Sequence, residues 1–109
     1  MVKLSEYYQR INCFKFYTNG QEKRLIKPIQ MIMIAISEQE TELITSFKFS
    51  EGDMLVIDFH LDVYPFEKIM CKINKVDKSG EMYKLRTEFM GISEVSYRAI
   101  RKYLGKTKK

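Results

Sequence analysis

The chain has 109 residues, which is enough for one domain with a single core of modest size. Its 45% hydrophobic residues, five glycines and two prolines exclude a disordered or linker-rich chain. The net charge of +5 is uneven, because residues 98–109 carry six basic side chains and no acidic one, whereas residues 1–97 carry thirteen basic and fourteen acidic ones. A nearly neutral body argues against specific nucleic-acid binding, which uses many phosphate contacts.

Targeting and cysteine signals are weak in this chain. No apolar run approaches the roughly 18 residues that a membrane-spanning helix needs, and residues 1–6 lack the apolar block of a signal peptide. We therefore expect a cytoplasmic protein. Cys13 and Cys71 are too few for a disulfide framework or a zinc site, so we expect two reduced thiols in the core.

Short apolar segments, separated by turn residues every 8–12 positions, predict an all-β protein. The predicted strands cover residues 13–17, 25–36, 41–47, 54–61, 69–76 and 83–89. Asn19-Gly20 predicts a hairpin between the first two strands, and Pro28 predicts an edge position or a bulge in the second. Turns are predicted at 50–53 and 77–80, with a connection at 62–65.

Two later strands alternate strictly, which predicts one buried face in each. Ile69, Cys71 and Ile73 share the inward face of the fifth strand. The inward face of the sixth strand has four members, namely Tyr83, Leu85, Thr87 and Phe89.

The periodicity changes to that of a helix after Gly91. Ser93 is the predicted N-cap, Glu94 lies in the favourable first turn, and Gly105 is the predicted C-cap. We therefore predict a mainly β fold, with six antiparallel strands in a closed or nearly closed barrel and a C-terminal α-helix that covers one end. We also predict that the whole chain, 1–109, forms one domain, divided into an N-terminal arm (1–12), the barrel (13–90), the helix (93–104) and a basic tail (105–109).

Catalytic patterns are absent from the sequence. It has no nucleophile elbow, no cluster of metal ligands and no glycine-rich phosphate loop. His60, Asp58 and Asp62 would share one face of a strand, which indicates either a weak cation site or, more simply, a hydrated polar face. We interpret the protein as a binding module and not as an enzyme. Met31 and Met33 fit core filling or an adaptable interface.

The order of these elements and the ending EFMGISEVSYRAIRKYL resemble a PilZ domain, the bacterial module best known as a receptor for cyclic di-GMP. The resemblance covers about residues 6–104. It includes FSEGDMLVIDFHL, which is similar to the family's opening of a central strand. The resemblance implies a six-stranded antiparallel PilZ-like β-barrel with a C-terminal α-helix, and a regulatory role in cyclic di-GMP-type signalling.

The ligand motifs of the PilZ family are altered in this chain. Typical members carry Arg-x-x-x-Arg in an N-terminal arm, which clamps the phosphates and stacks on guanine, and then Asp-x-Ser-x-x-Gly in a turn. In SEYYQRINC, Arg10 matches the second arginine and Glu6 replaces the first. In IAISEQE, Ser37 is retained, whereas Ala35 and Glu40 replace the aspartate and the glycine. The resemblance implies Arg10 and Ser37 as ligand-binding residues. It also implies weak or no nucleotide binding, because the carboxylate of Glu6 stands in place of an arginine and repels phosphate.

Three functions stay open at this point. The first is an adaptor for a partner protein in motility, pilus or envelope control, which would use the Met-rich strand or the basic helix and tail. The second is a divergent cyclic di-GMP receptor, in which Arg10, Ser37 and a basic residue such as Lys3 or Arg24 rebuild a weaker pocket. The third is a nucleic-acid-binding barrel that uses Tyr and Phe stacking with the basic tail.

Simpler interpretations apply to the same residues. Arg10 would form a surface pair with Glu6 at i,i+4, and IAISEQE would be a polar β-turn. The basic end would be a solvated helix terminus, or a contact for an acidic partner or anionic lipid headgroups. The partner, the pathway and the oligomeric state do not follow from the sequence.

Overall fold

The computed structural model of the protein describes residues 2–3, 9–61 and 64–107. Within this part, the chain forms seven strands and one helix. The elements are β1 Val2–Lys3, β2 Gln9–Thr18, β3 Gln21–Ile36, β4 Glu40–Thr45, β5 Met54–Leu61, β6 Tyr64–Ser79, β7 Met82–Met90 and α1 Glu94–Thr107. No helix in the described part is both long enough and apolar enough to cross a membrane.

Strands β2 to β7 close into a six-stranded antiparallel barrel. Their order around the ring is β3-β2-β5-β6-β7-β4, and β4 pairs back onto β3 through Ile32↔Ile44 and its neighbours. The short β1 pairs with Ala35 and Ile36, in line with β2 on the same side of β3. Closure satisfies backbone groups that an open sheet would leave at its edges. The predicted fold class, a mainly β barrel with one C-terminal helix, is confirmed.

The core forms because inward side chains alternate along every strand. The predicted inward residues Cys71, Ile73, Leu85 and Thr87 are all buried. Cys13 and Cys71 are buried free thiols, as the sequence predicted. The largest fully buried side chains come from strands all around the barrel: Phe59, Phe66, Ile11, Met31, Met33, Ile36, Leu43, Leu55, Ile57, Leu61, Ile73 and Leu85.

The two ends of the barrel are filled differently. At the end that holds the β2–β3 and β6–β7 turns, the rings of Phe16 and Phe49 meet edge to face, with 5.1 Å between centroids. At the other end, which holds the β3–β4 turn, α1 begins directly after β7. Ile100 and Leu104 of α1 are buried in the same core cluster as the strands. The helix is therefore part of the core.

Local turn chemistry explains how the chain reverses direction. Asn19 and Gly20 have φ values of 51° and 76°, as a type I′ hairpin turn requires, and they connect the paired residues Thr18 and Gln21. Gly52, with a φ of 90°, occupies the predicted turn before β5. The Asn-Gly hairpin and the turn at 50–53 are both confirmed.

The strand β3 has an irregular middle. In the pairing with β2, Ile29 lies opposite Cys13 and Arg24 lies opposite Lys15, so residues 25–28 oppose Phe14 alone. Pro28, which has no N–H to donate, falls inside this four-residue bulge. The predicted bulge at Pro28 is confirmed.

Several predicted boundaries in the strands are wrong. Residues 9–12, assigned to the arm, belong to β2, because Gln9 already pairs with Met33. β3 and β6 each have 16 residues, since antiparallel pairing continues through polar positions that hydrophobic patterning does not mark. Tyr64 and Pro65, placed in a connection, pair with Leu61 and His60, while residues 62–63 lie outside the described part.

The predicted helix end is also wrong. The Ser93 hydroxyl accepts a hydrogen bond from the Ser96 N–H at 3.2 Å, which confirms the N-cap. Gly105, however, is not a C-cap, because it has helical backbone and α1 continues to Thr107. Gly105 is exposed and a side chain there would meet open space, so the glycine is required neither by a positive φ nor by close packing. Residues 105–107 of the predicted tail are therefore helical, and residues 108–109 lie outside the described part.

Candidate functional site

The turn between β3 and β4 is held together by Ser37. Its N–H donates to the Glu40 carbonyl oxygen at 2.8 Å, and its hydroxyl accepts from the Glu40 N–H at 3.0 Å and from the Gln39 N–H at 3.3 Å. A serine hydroxyl commonly replaces backbone partners in such turns. The polar side chain of Ser37 is therefore engaged inside its own turn.

The next residue, Glu38, connects this turn to α1. Its carboxylate accepts a hydrogen bond of 2.8 Å from the Tyr97 hydroxyl and one of 3.1 Å from Arg101 Nε. The Arg101 guanidinium also lies 5.5 Å from the centroid of the Tyr97 ring. The hydrogen bond to Glu38 raises the pKa of the Tyr97 phenol above its ordinary value. Both oxygens of Glu38 are thus committed to the helix.

An acidic groove of about 460 Å³ lies beside this contact. Three carboxylates line it, those of Glu38, Glu40 and Glu88, together with Gln39, Asn74, Phe89, Ile92 and Tyr97. Glu40 and Glu88 lie directly opposite each other across β4 and β7, an arrangement that places like charges close together. Glu38 is paired with Arg101, whereas Glu40 and Glu88 have no ion-pair partner among the described residues, and these two carboxylates repel a phosphodiester.

Arg10 lies elsewhere, in a second groove of about 370 Å³ on the outer surface of the barrel. The lining combines this single charge with apolar and small polar side chains: Gln30, Met31, Ile32, Ile44, Ser46 and Met82. The Arg10 side chain is exposed, and no described residue forms an ion pair with it. The predicted pair with Glu6 lies outside the described residues.

The structure does not bring Arg10 and Ser37 into one pocket. Arg10 pairs with Ile32, and Ser37 follows five residues later along the same strand direction, which is about 16 Å at the ordinary rise of a strand. Arg10 lines the second groove, whereas Ser37 lines neither of these two grooves and is bonded inside its own turn. Their assignment as ligand-binding residues stays a prediction.

The two additional cations considered for a rebuilt pocket are not equivalent. Arg24 Nε is 3.1 Å from Oε2 of Glu22 in the β2–β3 hairpin, thirteen residues before Ser37 in the sequence. The backbone of Lys3 pairs with Ala35, close to the turn, but its side chain lies outside the described part. Arg24 therefore cannot join Ser37 around one small ligand.

Sequence reasoning missed a buried carboxylate on the barrel surface. Glu42 of β4 is 3.0 Å from Lys84 Nζ and 4.0 Å from Arg86 of the neighbouring β7, and its side chain is largely covered. These charges meet only through the register of β4 and β7, which the sequence does not reveal. The cluster is an ion-pair network that connects β4 to β7.

The weaker alternative at His60, a cation site, cannot be assembled from the described residues alone. His60 is exposed, and Asp58 accepts a hydrogen bond of 2.7 Å from the Lys68 N–H, while Asp62 lies outside the described part. Across residues 2–3, 9–61 and 64–107, no group of three or more His, Cys, Asp or Glu side chains could hold a metal ion. Asp58 instead stabilises an irregular position of β6, where Lys68 has a φ of 52°.

Two methionines of β3 lie in the barrel core. Met31 and Met33 are 1% and 0% exposed, so core filling is correct. A partner surface made of these two thioethers is wrong, because β3 turns both side chains into the barrel.

Comparison with known proteins adds no relative. The sequence matches no model of a known protein family. It also matches no curated protein sequence.

Proposed function

We propose that the protein is a non-catalytic PilZ-like regulatory module that acts as a protein-interaction adaptor, with weak or no cyclic di-GMP binding. The six-stranded barrel with its C-terminal helix agrees with the architecture that the sequence resemblance implies. The altered motifs, with Glu6, Ala35 and Glu40 at positions where ligand-binding members differ, support an adaptor.

The observation that carries the proposal is the engagement of the β3–β4 turn. The resemblance places the nucleotide at this turn, yet Ser37 bonds to Glu40 and Glu38 bonds to Tyr97 and Arg101. A nucleotide there would have to displace these contacts and also approach the carboxylates of the acidic groove. An adaptor has no such requirement, because it uses the outer surface of an intact barrel.

A divergent cyclic di-GMP receptor is the second candidate, favoured by one feature. Arg10 is exposed in a groove with no ion-pair partner among the described residues, and a guanidinium suits a phosphate. This receptor would use Arg10 on the barrel surface and not the β3–β4 turn.

Isothermal titration of cyclic di-GMP at moderate salt separates the two candidates. The wild-type protein is compared with Arg10→Ala and with Arg24→Ala, the latter as a control for loss of an exposed arginine elsewhere. The adaptor predicts either no saturable heat or weak heat that is the same for all three proteins. Saturable heat that disappears in Arg10→Ala and persists in Arg24→Ala would establish the receptor instead.

The adaptor itself is tested by affinity capture from the native cell, followed by binding of each purified candidate. A one-to-one complex that survives both Arg10→Ala and Ser37→Ala would support the adaptor. A protein that forms no purified complex would leave this function without a basis.

A further inference from the structure

Within residues 1–97, the hairpin of β2 and β3 concentrates positive charge, and a second concentration lies in residues 98–109. We call residues 14–28 the basic hairpin. It carries four basic side chains and one acidic one, whereas the other residues among the first 97 carry nine basic and thirteen acidic ones. Residues 21–24 and 26–28 are all exposed. The positive charge is thus displayed to solvent.

An unsupported apolar side chain projects from the same hairpin. Ile26 is 102% exposed, the highest value among the exposed large hydrophobic side chains of the described residues. It lies in the four-residue bulge of β3, where residues 25–28 oppose Phe14, and Phe14 is itself 43% exposed. The bulge therefore presents an isoleucine that packs against nothing, beside a partly exposed aromatic ring.

The cations around Ile26 are not all neutralised within the hairpin. Glu22 accepts contacts from Lys15 at 3.3 Å and from Arg24 at 3.1 Å, so one carboxylate is shared by two cations. Lys23 and Lys27 have no ion-pair partner among the described residues. Two free ammonium groups therefore lie three residues before and one residue after the exposed isoleucine.

We propose that the basic hairpin docks on an anionic lipid bilayer, with Ile26 inserted at the interface and Lys23 and Lys27 at the headgroups. Apolar side chains with lysine and arginine nearby bind the interface of an anionic bilayer, because apolar burial adds to electrostatic attraction. A nucleic acid would use the cations but offers no apolar environment for Ile26. A protein partner would require a complementary pocket, whereas a bilayer accepts a single projecting side chain.

The charge distribution also sets the orientation on the bilayer. The acidic groove with Glu38, Glu40 and Glu88 lies by the β3–β4 turn, at the opposite end of the barrel from the β2–β3 turn. Anionic lipid attracts the hairpin and repels this groove. The helix α1 is also basic, with Arg98, Arg101 and Lys102, and is the competing site of attraction to anionic lipid. This inference stands independently of cyclic di-GMP binding.

The absence of tryptophan from the chain permits a direct test. The full-length Ile26→Trp protein is mixed with vesicles of phosphatidylcholine and phosphatidylglycerol in equal parts, and with pure phosphatidylcholine. We expect its fluorescence to shift to shorter wavelength only with the anionic vesicles. The matched control is Val95→Trp, at a position of α1 that is 64% exposed, where no shift is expected. No shift for Ile26→Trp, or an equal shift for both proteins, would overturn the proposal.

Cosedimentation with the same vesicles measures the electrostatic and the apolar contributions to binding separately. Lys23→Gln/Lys27→Gln should lower the partition coefficient at least about tenfold, since each lysine near an anionic surface contributes on the order of 1 kcal/mol. Ile26→Ser should lower it about tenfold by loss of apolar burial. The control Lys72→Gln/Lys102→Gln removes the same amount of charge elsewhere. It should change the partition coefficient less than about threefold.

Two further results would overturn the proposal. An equal loss in the control double variant would show attraction spread over the surface and would refute docking by the hairpin. A blue shift of Ile26→Trp with single-stranded RNA or an acidic polypeptide, in the absence of lipid, would likewise replace the bilayer by a soluble polyanion. Because all substituted side chains are exposed, unchanged thermal unfolding of each variant is the check on folding.

Discussion

The Tyr97 hydroxyl donates a hydrogen bond of 2.8 Å to the carboxylate of Glu38, across 59 residues of sequence. This bond joins the first half of α1 to the turn between β3 and β4. Arg101 reaches the other oxygen of the same carboxylate at 3.1 Å, so one side chain holds two positions of the helix. The helix is therefore fixed to the barrel by a polar contact in addition to the burial of Ile100 and Leu104.

Removal of the Tyr97 hydroxyl should loosen the helix without unfolding the barrel. We expect Tyr97→Phe to speed hydrogen exchange of α1 amides, because the local opening of the helix loses one of its restraints. Exchange of the β5 and β6 amides should not change. Tyr17→Phe is the control, since the Tyr17 hydroxyl donates to Glu22 in the basic hairpin. If α1 exchanges at the wild-type rate in Tyr97→Phe, the bond does not hold the helix.

The same bond predicts that Tyr97 loses its proton at a higher pH than an ordinary phenol. The hydrogen bond to Glu38 raises the pKa of the Tyr97 phenol above its ordinary value of 10.0. Because the fold favours the protonated phenol, this contribution to stability is complete below pH 10 and is lost as the pH rises through the folded pKa. Ultraviolet difference titration of wild type against Tyr97→Phe should show this late phenol.

Glu38→Gln provides the counterpart, because it removes the negative charge and keeps the shape. The pKa of the Tyr97 phenol should then lie closer to its ordinary value of 10.0. A titration of Tyr97 that is identical in the wild type and in Glu38→Gln would contradict the assigned cause.

Truncation of a buried helix side chain should destabilise the whole domain. Ile100 is 0% exposed within the barrel core, and Ile100→Ala should lower the free energy of unfolding by about 2–5 kcal/mol. Chemical denaturation should remain a single transition if the helix and barrel unfold together. Val95→Ala, at the exposed face of the same helix, should stay within about 0.5 kcal/mol of wild type. Equal effects of the two changes would mean that α1 is not part of the core.

The two thiols should be protected by the native fold. Burial raises the pKa of Cys13 to about 11 and that of Cys71 to about 12, both from an ordinary value of 9.0. Since thiolate is the reactive form, a disulfide reagent at pH 8 should modify neither thiol in the native protein and both in denaturant. A fast reaction of either thiol under native conditions would show that its strand opens readily.

The sign of these shifts also predicts a loss of stability in alkali. Both raised values mean that the native state favours the neutral thiol, so the stabilisation is present below the ordinary pKa of 9.0. It decreases as the pH rises from about 9 towards the folded values. Cys71→Ala removes the more strongly shifted thiol, so its free energy of unfolding should fall less steeply between pH 9 and 11. An unchanged slope would exclude Cys71 as a source of the alkaline sensitivity.

Much of the fold follows from neighbours in the sequence. Asn19-Gly20 supplies the positive φ values of its hairpin turn, Ser93 supplies the N-cap of α1, and alternating apolar residues mark the inward faces of the strands. These features depend on dihedral preferences and hydrogen bonds within a few residues. The class of the fold, a closed antiparallel barrel with one helix, could therefore be predicted.

Element ends and the candidate site were less predictable, because they depend on pairing at a distance. Gly105 remains helical, and β2 begins at Gln9, for reasons that local patterning does not contain. Arg10 and Ser37 could be singled out as residues, but the distance between them depends on strand register, which places Arg10 opposite Ile32. A shift of one residue in register exchanges the inward and outward faces, so no short segment determines it alone.

By itself, the sequence determined which segments form strands, where two turns and the helix start lie, and which thiols are buried, because each depends on local propensity and hydrophobic pattern. Only the tertiary structure decided that Glu38 bonds to Tyr97 and Arg101, and that the bulge of β3 leaves Ile26 without a neighbour. The physical reason is that both outcomes depend on how six strands and a helix fit together around one core. Contacts across 59 and 63 residues exist only after that core has closed.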